Sequence, residues 1–212
     1  MARTTPREEA RKARSHVYRQ HVLKAAEEVF AERGFEAARL QEISARAGLS
    51  MGTIYAIFPS KADLHRALLE ERGRELRDLV AEVARRPLEP RDALGALIAL
   101  YVDYFVAHPE FLRMHLRSGA SWVLSPPGTE TRVRHWQEIH DLQAEIFRRG
   151  AAAGVFVDEE PSYLAKLFSA IDQVLLADWV AGGMRADRDA LTRRLTATVE
   201  RALCRQPPAP AG

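Results

Sequence analysis

Leu-Gln-Glu-Ile-Ser-Ala-Arg-Ala-Gly-Leu-Ser-Met-Gly-Thr-Ile-Tyr-Ala-Ile-Phe-Pro-Ser-Lys occupies residues 40–61, and its punctuation divides it into two short helices. Apolar residues recur at three- and four-residue spacing on either side of Gly48, which ends a helix over 40–47, and Pro59 ends a second over 51–58. Ile43 and Ala47 from the first, Leu49 in the turn, and Ile54 and Phe58 from the second can close one small core, the pattern of a helix-turn-helix. Burying Ile54 and Phe58 turns Met51, Gly52, Tyr55 and Ala56 outward, a face that can enter a major groove. Gly52 lacks a β-carbon and permits close backbone approach, and Ser50 and Thr53 offer short hydroxyls beside a helix N-terminus. Tyr55, Lys61, Arg39 and Ser50 are therefore candidates for positioning on phosphates. Thr53 and Met51 are candidates for reading base edges, Met51 through apolar reach to a thymine methyl.

Upstream, the spacing predicts a helix over 15–33, with Val22, Ala26, Val29 and Phe30 on one stripe and Gly34 as a left-handed stop. Downstream, Ser60 with Asp63 three residues on reads as a capping box that opens a long helix over 61–86. Helices follow at 90–107, 109–118, 130–153, 161–181 and 187–204, with prolines at 90, 109 and 161 where an N1 proline is harmless. No run of alternating β-branched residues bounded by turn signals interrupts them, so the class is all-α. The expected organisation is a three-helix helix-turn-helix domain over 1–60 with a basic arm at 1–14, a larger helical domain over 61–205, and a flexible tail over 206–212. The stretch 125–129 is expected to be the least structured internal loop.

Composition narrows the function. With 47% hydrophobic and 28% charged residues among 212, the chain has too much apolar content for disorder. Its net charge is only +2, yet residues 1–24 hold seven Arg or Lys against Glu8 and Glu9, which points to an anionic partner at that end. A single cysteine, Cys204, allows neither an internal disulfide nor a thiolate cluster and suits a reducing compartment. Charges interrupt every apolar run, Lys166, Asp172 and Asp178 among them, so no membrane span is expected; residues 1–19 have no apolar core of a secretory signal, and the expected location is cytoplasmic. His108 with His115, and His135 with His140, lack metal-ligand spacing, so no metal site is expected. No phosphate loop, dinucleotide fingerprint or nucleophile elbow is present, and Glu27 with Glu28 and Glu159 with Glu160 do not converge; neither a cofactor nor an enzyme activity is expected.

Residues 22–69, from Val-Leu-Lys-Ala-Ala-Glu-Glu-Val-Phe-Ala-Glu-Arg-Gly-Phe through Gly-Leu-Ser-Met-Gly-Thr-Ile-Tyr-Ala-Ile-Phe-Pro-Ser-Lys-Ala-Asp-Leu, resemble the N-terminal DNA-binding domain of the tetracycline-repressor (TetR) family. The resemblance implies that the third helix reads an operator in double-stranded DNA and that Gly52, Thr53, Tyr55 and Lys61 serve it, Tyr55 and Lys61 on phosphates. It also implies a C-terminal domain that binds a small-molecule effector and dimerises. Four positions depart from the family: Leu40 stands where Ser or Thr is frequent, Met51 where a basic residue is frequent, and Ala56 with Ile57 where Tyr-His or a similar pair is frequent. The basic arm and Arg39 are expected to replace part of the missing charge, since each phosphate neutralised adds affinity through counterion release. The alternative is an α-helical small-molecule-binding or interaction protein whose helix-turn-helix is degenerate.

In 164–181, 13 of 18 residues are apolar or Ala, more than one amphipathic stripe requires. Together with the stripe Leu191, Leu195, Val199 and Ala202, this predicts a homodimer through the last two helices, as the resemblance also implies. Tyr101, Phe105, Phe111, Trp122 and Trp136 are the candidate lining of an apolar effector cavity, with Trp122 in the pocket or at its entrance. The expected function is that of an effector-responsive dimeric transcriptional repressor on a palindromic operator.

Overall fold

A computed structural model describes residues 5–119, 121–124 and 128–205. Among them are nine helices: α1 (Pro6–Ala37), α2 (Leu40–Ala47), α3 (Met51–Ile57), α4 (Lys61–Arg85), α5 (Pro90–Ala107), α6 (Pro109–Arg117), α7 (Glu130–Ala152), α8 (Pro161–Ala181) and α9 (Arg188–Leu203). Where a cap or a proline marks an end, the expected boundaries hold to within a residue. Gly48 ends α2 in the left-handed region at φ 65°, ψ 30°. At the head of α4, Ser60 Oγ accepts from the Asp63 amide at 3.0 Å and donates to its carboxylate at 2.7 Å.

α1 departs from expectation at both ends. It starts at Pro6 rather than residue 15, because Thr5 and Glu8 form a reciprocal capping box ahead of an N1 proline. Most of the basic arm is thus the first turns of a helix. At the other end Gly34 breaks the helix with φ 76°, and a last turn resumes to Ala37. Residues 1–4 of the arm, 125–127 of the expected loop and the expected tail over 206–212 lie outside the described residues.

The chain forms two compact units, and neither coincides with the division at residue 60. Among the described residues the first comprises 5–71 and 110–118, the second 72–109, 119, 121–124 and 128–205. The boundary therefore runs inside α4, and α6 clusters with the helix-turn-helix. In the first unit Val22, Ala26, Val29, Phe30, Ile43, Ile54, Phe58, Leu64 and Leu68 are buried. His65 stands edge-on to the Phe30 ring with centroids 5.0 Å apart. Bidentate hydrogen bonds from Arg46 to Glu32, at 2.7 and 3.0 Å, clamp α2 onto α1.

The second unit is a helical bundle in which α7 packs on α8, and α5 on α7 and α9. Its core gathers Leu97, Ile98, Phe105, Ile146, Phe147, Leu164, Phe168, Leu195 and Val199. The chain reversal after α7 is closed by an isolated antiparallel bridge between Phe156 and Cys204, with Val157 N donating to Leu203 O at 3.0 Å. Cys204 is buried there, which pushes its thiol pKa up.

Candidate nucleic-acid interface and effector core

In the first unit α3 presents two faces. Ile54 is fully buried and Phe58 nearly so, with the Arg19 guanidinium 4.8 Å over the Phe58 ring. Gly52, Tyr55 and Ala56 are exposed and Met51 and Thr53 half-buried, and Tyr55 leaves 51% of its surface open to solvent. A large aromatic held outward beside a glycine is the arrangement expected from the spacing. A β-carbon on Gly52 would meet nothing of this chain nearer than Ser50 Oγ at 3.8 Å, so the fold itself does not require glycine there. The Ser50 hydroxyl is partly committed: it caps α3 by accepting from the Thr53 amide at 3.2 Å and lies 2.9 Å from Thr53 Oγ1. Arg39 is exposed at the head of α2 and makes no side-chain cap.

Lys61 is turned toward the end of α1. Its ammonium donates to the carbonyls of Phe35, Glu36 and Ala38 at 2.7, 3.0 and 3.1 Å and lies 4.7 Å from the centre of the Phe35 ring. Those carbonyls end α1, where a cation is favoured by the unpaired acceptors and the helix dipole. All three N–H groups thus have an acceptor within this unit. The basic group opening α4 is a clasp between helices here. Arg117 works in the same way from α6, donating to Glu32 O at 2.7 Å; nothing in its sequence neighbourhood signals that role.

Four of the five aromatic candidates meet in the second unit. Tyr101 and Phe105 lie on one face of α5 with centroids 6.3 Å apart, Phe105 stacks on Trp122 at 4.9 Å, and Trp136 Nε1 donates to the Trp122 carbonyl at 2.9 Å. Gln173 Oε1 holds the Trp122 amide at 3.0 Å. Phe111 does not join them: α6 carries it in the first unit, buried and tilted 6.3 Å from His115. Helical spacing could not distinguish this, because it reports that a residue faces a core and not which core.

Polar residues missed by sequence reasoning lie beside these rings. Gln143 Nε2 donates to the Tyr101 hydroxyl at 2.7 Å, and Ser169 Oγ donates to Gln143 Oε1 at 3.4 Å. Asp172, one turn beyond Ser169 on α8, is fully buried, and neither carboxylate oxygen has a hydrogen-bond partner among the described residues. Burial drives its pKa well above the usual carboxylate value. The Tyr101 hydroxyl is likewise pushed up, first by burial and then by the charge of Asp172. The sequence signal was an acidic residue four positions from both Phe168 and Leu176, on the buried face of an apolar helix. On another flank of α5, a groove of about 460 Å³ is lined by Glu75, Glu82, Arg86, Asp103 and His108 together with Leu79, Val83 and Leu100.

An all-α chain with an N-terminal helix-turn-helix and an outward-facing second helix defines a class of DNA-binding regulatory proteins. Residues 22–68 match the family model described as bacterial regulatory proteins, tetR family. Over those residues the chain carries the pattern of that family. The HTH-type transcriptional repressor NicS of Pseudomonas putida is 30% identical over 141 residues, 66% of each chain, so the match spans just under two thirds of that relative. The HTH-type transcriptional repressor AcnR of Corynebacterium diphtheriae is 27% identical over 195 residues, 89% of this chain and 93% of the relative. The transcriptional regulator FadR from Bacillus subtilis, solved in complex with stearoyl-CoA, superposes with a TM-score of 0.70 at 17% identity, covering 85% of this chain and 96% of that one. At that identity the likeness is one of fold.

Proposed function

We propose that the protein is a homodimeric transcriptional repressor of the bacterial cytoplasm that binds a palindromic operator and is released by a small effector with an apolar body. The observation that carries this reading is the outward face of α3, where Gly52, Tyr55 and Ala56 are exposed over a core sealed by Ile54 and Phe58. Met51 and Thr53 flank that face within reach of base edges, and Ser50, Tyr55 and Arg39 border it as phosphate partners. Lys61 contributes by holding α1 against the start of α4. The repressors NicS and AcnR favour negative control.

Two copies are required because one seven-residue helix reads too little sequence. A two-fold dimer sets two such helices on major-groove faces about 34 Å apart or a multiple of that. On α8, Tyr163 and Val174 are 51% and 65% exposed although the rest of the helix is rich in buried apolar residues, and these positions with α9 are the proposed dimer face. The effector site is the aromatic core of Tyr101, Phe105, Trp122 and Trp136; the stearoyl-CoA complex of Bacillus subtilis FadR gives a precedent for an apolar-bodied ligand on this fold. To shift the equilibrium, the effector must bind more tightly to a conformation in which the two recognition helices are misplaced.

The test is a footprint on the DNA flanking the gene, with Gly52→Ala and Tyr55→Ala beside the unmodified protein. Protection of a palindrome that both substitutions abolish, with melting temperature and oligomeric state unchanged, is the expected result. Equal affinity for random DNA, or indifference to both substitutions, refutes the reading and favours the degenerate helix-turn-helix alternative.

A further inference from the structure

Asp172 is a buried acid with no visible employment. An ionised carboxyl taken out of water is tolerated when it is paired, and leaving it unpaired is strongly unfavourable. Asp172 is 0% exposed, both of its oxygens lack a partner, and no Lys, Arg or His among the described residues makes an ion pair with it. An aliphatic residue would pack the same face of α8, where Phe168 and Leu176 stand one turn to either side, at no such cost.

The surroundings define what would complete it. Gln143 donates to the Tyr101 hydroxyl and accepts from Ser169, and none of the three donates to Asp172. Rings lie close by: Phe168, one turn before Asp172, stands edge-on to Tyr101 with centroids 5.4 Å apart, and Tyr101 in turn lies 6.3 Å from Phe105, which stacks on Trp122 at 4.9 Å. Aromatic ring faces carry negative potential and attract cations, so rings and carboxylate together favour a positive charge and oppose a negative one. The residue next to Asp172, Gln173, holds the amide of Trp122, so a ligand at Asp172 would act directly beside the segment that carries Trp122.

We propose that Asp172 is the recognition carboxylate of the effector site, and that the effector carries a protonated nitrogen on an aromatic or aliphatic body. This rests on the effector-responsive reading above and narrows it to a chemical class. An effector whose head group is a carboxylate or phosphate is thereby excluded from this position.

The test uses the full chain and three probes of one shape: 2-naphthylmethylammonium, 2-naphthylmethanol and 2-naphthoate, titrated calorimetrically. The ammonium is expected to bind about tenfold or more tightly than the alcohol, with the carboxylate weakest. Asp172→Asn should remove that preference while leaving affinity for the alcohol within about threefold, since a neutral isostere keeps the shape and loses the charge. Absence of an ammonium preference in the unmodified protein overturns the proposal without recourse to any variant, as does failure of all three probes to bind. A preference that survives in folded Asp172→Asn overturns it too. Operator affinity of the ligand-free protein is measured alongside: its loss strikes the regulatory reading, whereas intact operator binding without charge selectivity strikes only this inference.

Discussion

The Lys61 ammonium meets three backbone carbonyls at 2.7–3.1 Å, which makes it a structural residue. Replacing it by Met keeps the stem and strands the carbonyls that end α1. The expected loss is about 1–3 kcal/mol of stability, the range for leaving an acceptor unsatisfied, read as a lowered denaturant midpoint in the free protein. An unchanged midpoint would return Lys61 to the role of a free cation. Gly150 is a second position where one atom decides: a β-carbon there would sit 2.1 Å from the Phe156 ring. Gly150→Ala should therefore destabilise by about 1–3 kcal/mol through overpacking, checked by thermal unfolding. The outward placing of Tyr55 was legible from spacing alone, since residues flanking two buried positions on a short helix must face away. The inward turn of Lys61 was not, because the carbonyls it meets lie 23 to 26 residues away in sequence.

The early start of α1 changes what the basic end of the chain can do. Arg7, Arg14 and their neighbours are carried on a helix that begins at Pro6, and those residues whose side chains are described are exposed. Deleting residues 1–14 is expected to flatten the dependence of operator binding on salt, with the log–log slope falling by about 0.9 for each phosphate contact removed. Titration at several salt concentrations tests this, and a slope equal to that of the full chain would show that these charges face solvent only. In α8, Val174→Arg sets a charge on the proposed dimer face. Sedimentation should then find monomers, with operator affinity reduced because the two half-sites are no longer bound together. Dimers of undiminished affinity would place the interface elsewhere.

Across the whole molecule, the burial of Asp172 should appear as a pH dependence of stability in the ligand-free protein. Its folded pKa is raised well above the ordinary 3.8, so between those values the unfolded chain has lost a proton that the folded chain keeps. The contribution of this group is fully present below the ordinary pKa and is lost as pH rises through the folded value. The stability of the unmodified protein should fall relative to Asp172→Asn as pH rises above about 4, compared by urea unfolding at each pH. Parallel curves would mean that the carboxyl finds a partner in solution.

The local devices of this chain are written in short range. A glycine at φ 65°, a Ser60–Asp63 cap and prolines at helix starts act through bonds spanning four residues or fewer, which is why the helices and the turn between α2 and α3 could be read directly. Which helices gather into which unit depends on side chains distant in sequence, such as Arg117 reaching Glu32 or Tyr101 reaching Gln143. Packing therefore assigned Phe111 to the first unit, Lys61 to the end of α1 and Asp172 to a core, since periodicity identifies a buried face and carries no information about the face opposite.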